Sequence, residues 1–200
     1  MDWRILYNPL AVLGKGKGFA VALGVIAILT LVAIWGGVHL DGALDLHVAP
    51  KSPSAGFVVA ESLISWISLG VFLFLAAKMF GGNSGVGAHL GAAGLARFPY
   101  ILAAIIVAKQ TPVGKAMRAV VNIEDSNIVI HPEKLISPAM LIGAFAILAL
   151  TVWSIVILYL GFSYASQIRN NTARRVGAFV IGLILAEVVS KVLLAIAVRM

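Results

Sequence analysis

Phe19 to Val38 reads FAVALGVIAILTLVAIWGGV, twenty residues without a charge. A helix needs ~20 apolar residues to cross a ~30 Å hydrocarbon core, because each residue adds about 1.5 Å. This run therefore reads as a membrane span, and its neighbours repeat the pattern. Ala55 to Ala77 and Pro138 to Phe162 are comparably long and apolar. Val176 to Val198 qualifies apart from Glu187 and Lys191, and a fifth run from Val86 to Val107 carries His89, Arg97 and Pro99. The expected class is all-α: a polytopic integral membrane protein with five transmembrane helices. Their expected spans are 18–40, 55–79, 86–108, 137–162 and 175–198, in one membrane domain covering 1–200.

Composition agrees. Hydrophobic residues make up 61% of the 200 and charged residues only 12%, about half the usual share of a soluble domain. Cysteine is absent, which excludes disulfides, thiolate metal sites and cysteine nucleophiles. Lys15 and Lys17 precede the first run as in a signal peptide, but the run exceeds the ~7–15 residues of such a core. It reads as an uncleaved first span.

The net charge of +7 would suggest nucleic acid in a soluble protein; here topology explains it, and no nucleic-acid partner is expected. With a cytoplasmic N-terminus, Arg4, Lys15, Lys17, Lys78, Arg169, Arg174 and Arg175 lie inside, opposed only by Asp2. Lys51, Lys109, Lys115, Arg118, Lys134 and Arg199 then lie outside with Asp41, Asp45, Glu124, Asp125 and Glu133. Arg174 and Arg175 stand directly before the last span, where cations orient insertion most strongly. The expected topology is N-in, C-out.

Local features refine the outline. Trp3 and Tyr7, one helical turn apart, predict an interfacial N-terminal segment. Gly14-Lys15-Gly16-Lys17-Gly18 lacks phosphate-loop spacing and reads as a flexible basic lead-in held by anionic headgroups. In the second span Ser62, Ser65 and Ser68 share a face, which suggests helix–helix hydrogen bonds, while Glu61 near the outer end reads as interfacial. The third span is glycine-rich, with Gly81, Gly82, Gly85, Gly87, Gly91 and Gly94, and is expected to begin as an interfacial helix and kink at Pro99. In the long connection 109–136, Val113 to Val121 suggests a short amphipathic helix and Asn127 to His131 an extended segment. It is the segment with most backbone free to dock a partner.

The stretch Gly81-Gly82-Asn83-Ser84-Gly85, followed by Leu90, Gly94-Leu95-Ala96-Arg97 and Pro99-Tyr100, resembles the central signature of the Yip domain. That family comprises the Ypt/Rab-interacting membrane proteins and their prokaryotic relatives. Asn8-Pro9 before the first span resembles bacterial members, and Trp153 through Gly161 resembles the family's closing helices. The resemblance implies five membrane helices with a cytoplasmic N-terminus, in a prokaryotic member of the bacterial inner membrane. Eukaryotic members serve vesicle trafficking and contact small GTPases through a long N-terminal region. Only seventeen residues precede the first expected span here, so that role is not carried over.

Candidate chemistry starts with charges inside the spans, each costing ~2.5–3.5 kcal/mol near a helix centre. Glu187 and Lys191, four apart, can pair on one face beside Ser190; this is either a self-satisfied pair or a polar station for an ion, proton or headgroup. Arg97 is expected to snorkel toward the cytoplasmic side, and His89 to be packed or interfacial rather than a ligand. Ala178, Gly182, Ala186 and Ser190 form a small-xxx-small ridge. Its expected partner is the third span, through residues such as Gly91 and Gly94, with a homodimer as the alternative.

His39, Asp41, Asp45 and His47 share one outer connection, and His131 and Glu133 another. Such ligands suit zinc or manganese, but polar loops hold these residues by default and no H-E-x-x-H spacing occurs. They remain metal candidates only, and no cofactor is expected. No nucleophile–base pair stands out, so the chain is expected not to be an enzyme. Two functions stay open. One is membrane organisation or trafficking through helix packing and contacts with lipids, a protein partner or a second copy. The other is a small-solute or ion transporter or channel using Arg97, Glu187 and Lys191.

Overall fold

The computed structural model describes residues 3–40, 42, 47–48, 54–108, 121–124, 127–130, 138–168 and 171–197. A 3-10 turn at Trp3–Leu6 leads into α1 (Pro9–Leu13), α2 (Lys15–Gly36), α3 (Ala55–Met79), α4 (Val86–Leu95), α5 (Phe98–Val107), α6 (Pro138–Ser166) and α7 (Thr172–Ala197). Two small antiparallel hairpins join them: β1 (Val38–His39) with β2 (His47–Val48), and β3 (Val121–Glu124) with β4 (Asn127–Ile130). Five helical runs are long and apolar enough to cross a membrane, and α4 with α5 makes up the third. The chain is thus an all-α, five-helix membrane protein. The expected helix at Val113 to Val121 falls, up to residue 120, outside the described residues, and Val121 itself opens β3.

Local chemistry sets the helix ends. Asn8 Oδ1 accepts from the Ala11 amide at 3.3 Å, with Pro9 in the first helical turn, where its missing N–H costs nothing. Ser54 Oγ accepts from Phe57 at 3.2 Å to start α3, and Asn171 Oδ1 accepts from Arg174 at 2.9 Å to start α7. Gly37, in the left-handed region at φ 60°, ends α2. The basic lead-in is corrected here: α2 already begins at Lys15, so Gly16 and Gly18 are helical and the turn is confined to Gly14.

The third span runs parallel to α2 at close range. Gly91 faces Phe19, Gly94 faces Ala22 and Ala108 faces Gly36, so one register holds along the whole length. A β-carbon added at Gly94 would lie 2.6 Å from that of Ala22, which only glycine avoids. α3 and α6 run antiparallel to the third span on either side, and α7 lies along the far side of α3. The expectation that α4 is interfacial fails for this reason: Ala88, His89, Gly91, Ala92, Ala93 and Gly94 are all buried between neighbours.

The main apolar core gathers Trp66, Leu69, Leu73, Ile157, Leu158, Phe162 and Phe179 from α3, α6 and α7. A second cluster at the other end joins Leu29, Val38, Leu40, Val58, Tyr100 and Val107. The outward faces stay apolar, as Ile142, Phe145, Leu148 and Val152 on α6 illustrate. In lipid that is the solvated surface, and it leaves polar side chains to the bundle interior.

Candidate functional site

The break between α4 and α5 organises the centre of the bundle. Pro99 has no N–H to return to the carbonyl four residues before it, so the ladder cannot run through. The backbone tightens instead: the Arg97 amide donates to Gly94 at 3.1 Å and the Tyr100 amide to Arg97 at 3.0 Å. Ser154 Oγ on α6 donates to the Ala96 carbonyl at 2.5 Å. A neighbouring hydroxyl thus re-satisfies a carbonyl freed inside the membrane. Trp66 Nε1 on α3 donates to the Leu90 carbonyl at 2.9 Å and binds the same span from the other side.

Arg97 sits at that break. It does not snorkel: it is 2% exposed, and Nη2 donates to the Gly42 carbonyl at 3.4 Å. Its Nε has no partner among the described residues. Just after α2 the chain returns into the bundle, where Val38 and Leu40 bury against Val58, Tyr100 and Val107. That return brings a backbone carbonyl within reach of the guanidinium.

The same return corrects the reading of Glu61. Glu61 turns into the bundle and not outward: it is 1% exposed, and its Oε1 lies 2.7 Å from His39 Nδ1. His39 also meets the Phe57 ring edge-on at 5.8 Å. Sequence reasoning had assigned His39 to the outer loop and missed its pairing with Glu61. The available signal was that Glu61 shares its helix face with Ser62, Ser65 and Ser68, all of which are buried. Those serines are not interhelical ties as expected: Ser65 Oγ turns back to the Ser62 carbonyl at 3.3 Å.

The remaining candidates separate. His89 is fully buried, between the rings of Phe74 and Phe162 at 5.8 Å each, with Nδ1 3.2 Å from the Gly85 carbonyl. Glu187 and Lys191 pair at 2.9 Å along α7, with side chains 33% and 50% exposed. Ser190 is buried and donates to the Glu187 carbonyl at 3.1 Å. The ridge of Ala178, Gly182 and Ala186 is buried too, but against α3 and not the third span: Gly182 faces Leu73 and Phe72. That face is filled within one chain, so the ridge is not an open dimer surface.

Of the metal candidates, Asp41, Asp45, His131 and Glu133 lie outside the described residues, while His47 pairs with His39 across β1 and β2. Among the described residues no three His, Cys, Asp or Glu gather as a metal site.

The N-terminal segment is the other correction. Trp153 Nε1 donates to the Leu6 carbonyl at 2.6 Å, and Trp153 stacks edge-on with Phe98 at 6.0 Å. The segment therefore lies along the bundle flank, level with the α4–α5 break, instead of resting at the end of the helices. Between it and the bundle is an apolar cavity of about 260 Å³, bordered by Leu6, Pro9, Val25, Leu95 and Ile157.

The sequence model of the Yip1 domain matches residues 11–190. The chain belongs to the Yip1-domain family. The glycine turn, the α4–α5 break, α6 and α7 as far as Ser190 fall within that match of this Yip1-domain protein. Neither a curated protein nor a solved structure matches it.

Proposed function

We propose that this Yip1-domain protein is a non-enzymatic membrane organiser. It acts through the packing of its helices and through contacts with lipids or a protein partner, in the bacterial inner membrane with its N-terminus cytoplasmic. The supporting observation is how the interior polar groups are used. Ser154, Trp66 and Arg97 each donate to a backbone carbonyl of another segment, and Glu61 meets His39, so these interior polar groups tie segments together. The glycine seams at Gly94 and Gly182 serve the same end, close helix contact.

The test is Gly182→Leu and Ala186→Leu in the full chain, read by stability in mixed micelles and by recovery of co-purifying proteins. Loss of stability or of a specific partner is expected. Wild-type behaviour in both assays would count against the proposal.

A second reading, small-solute or ion transport, draws on one observation: the buried Arg97 and Glu61, with the partly buried His39, stand close to the broken span. Under it Glu61→Gln and Glu187→Gln abolish a flux in reconstituted vesicles without loss of folding. Unchanged flux removes this reading.

A further inference from the structure

Three inner-end elements meet at one place that the packing reading does not use. They are the glycine turn after α3, the connection from α6 to α7, and the first residue of α2. The turn closes tightly: a β-carbon at Gly82 would lie 2.7 Å from the carbonyl oxygens of both Ala77 and Ser166. Gly81 has φ 84°, and Gln167, a non-glycine residue, is held at φ 55°. Such a conformation costs free energy and persists only where its surroundings impose it.

With its amide oriented to satisfy both neighbours, Gln167 donates to the Asn83 carbonyl at 2.5 Å and accepts from Lys15 Nζ at 2.8 Å. The strained residue thus fixes the glycine turn and aims a lysine. Beside it opens a cavity of about 430 Å³ lined by Phe80, Gly81, Asn83, Gln167, Ile168 and Arg174. Its lining carries amides and a guanidinium but no carboxylate. Arg175, next in the chain, has a buried Nε without a partner among the described residues.

The charges are also badly placed for the helix alone. Arg174 and Arg175 occupy the first turn of the 26-residue α7, where the helix dipole is positive and cations are disfavoured. The bias of cations toward the cytoplasmic face accounts for their presence at this end. It does not account for Arg174 lining a half-open pocket beside the strained Gln167. A bound anion does, since it is attracted by Arg174, by Lys15 and by the helix N-terminus together.

We propose that this pocket binds one phosphate group, presented as the phosphodiester of an anionic lipid in the inner leaflet or as a soluble phosphate. Arg174 and Lys15 supply the charge, and Asn83 and Gln167 hold the two turns in place. Phe80 and Ile168 form an apolar wall of the kind that glycerol and the first acyl carbons would cover. The proposal rests on the reading of a protein that works by contact, and its test leaves the glycine seams untouched.

The purified full chain in zwitterionic detergent is titrated with dihexanoyl phosphatidylglycerol, dihexanoyl phosphatidylcholine or inorganic phosphate, and bound ligand is counted by native mass spectrometry. Saturable binding of one phosphatidylglycerol is expected, at least about tenfold tighter than phosphatidylcholine, whose phosphodiester is the same but whose choline cation is repelled by Arg174 and Lys15. Arg174→Ala and Lys15→Ala should each weaken it about tenfold, and Lys191→Ala should leave it unchanged. Asn83→Asp, which keeps the size and adds a negative charge at an exposed position, should weaken it without disturbing the fold. Inorganic phosphate saturating the same site with the same variant dependence assigns the soluble source; phosphatidylglycerol binding alone assigns the lipid. Equal binding of the two lipids, or binding unaffected by Arg174→Ala and Asn83→Asp, overturns the proposal. That result leaves the packing reading in place, because Gly182→Leu tests it separately.

Discussion

Ser154→Ala is the sharpest test of how the broken span is held. The substitution removes one oxygen from a side chain 1% exposed and barely changes volume, so cavity terms are small. What it removes is the donor to the Ala96 carbonyl, which the break has freed and which is itself 2% exposed at residue level. In a soluble protein, leaving such an acceptor unpaired costs about 1–3 kcal/mol. Interhelical bonds in membranes average about 0.6 and reach about 1.7 kcal/mol. The Ser154 bond is fully buried and serves a carbonyl that the break has freed, which puts it near the top of that range, so the expected loss is ~1.5 kcal/mol. Ser65→Ala, whose hydroxyl returns to its own helix, should cost ~0.5 kcal/mol or less.

The decisive comparison is made in a Pro99→Ala background. There α4 and α5 can join, Ala96 can regain a helical amide, and Ser154 becomes dispensable. Unfolding by SDS in mixed micelles gives all four free energies of the cycle, and a coupling of ~1 kcal/mol is expected. An equal cost of Ser154→Ala in both backgrounds would refute the claim that Ser154 substitutes for the missing ladder bond.

Other outcomes follow from the same contacts. Gly182→Leu places a side chain where even a β-carbon lies 3.1 Å from Leu73 Cα and the Phe72 carbonyl; it should destabilise by at least about 1–3 kcal/mol in the same unfolding assay. Trp153→Phe keeps the ring but loses the bond to Leu6, so amide exchange in residues 3–13 should quicken while α3 and α7 keep their protection. His39→Ala and Glu61→Ala should be strongly non-additive, since each leaves the other's buried partner behind; additive losses would contradict the 2.7 Å pairing. Replacing Glu187 and Lys191 together by alanine removes a half-exposed pair and should change stability by no more than ~1 kcal/mol.

Much of the fold was legible beforehand. The five runs and the break near Pro99 could be read because apolar length and a missing amide are local properties of the chain. The Glu187–Lys191 pair was equally legible, as a spacing of four on one helix sets two side chains together. The glycine ridge on α7 could be recognised as a packing surface, but its partner could not. Small residues say that something comes close, and they do not say which helix it is.

The sequence by itself therefore determined a bundle of five apolar helices, the third rich in glycine and interrupted. Only the tertiary structure decided which polar groups meet. Glu61 finds His39 across 22 residues, Arg97 finds Gly42 across 55, Ser154 finds Ala96 across 58 and Trp153 finds Leu6 across 147. Each meeting depends on which spans are neighbours, and those of His39 and Gly42 also on how the chain turns back just after α2. In lipid, hydropathy is nearly silent on both, because all five spans are apolar and the choice among neighbours falls to shape and to a few buried hydrogen bonds.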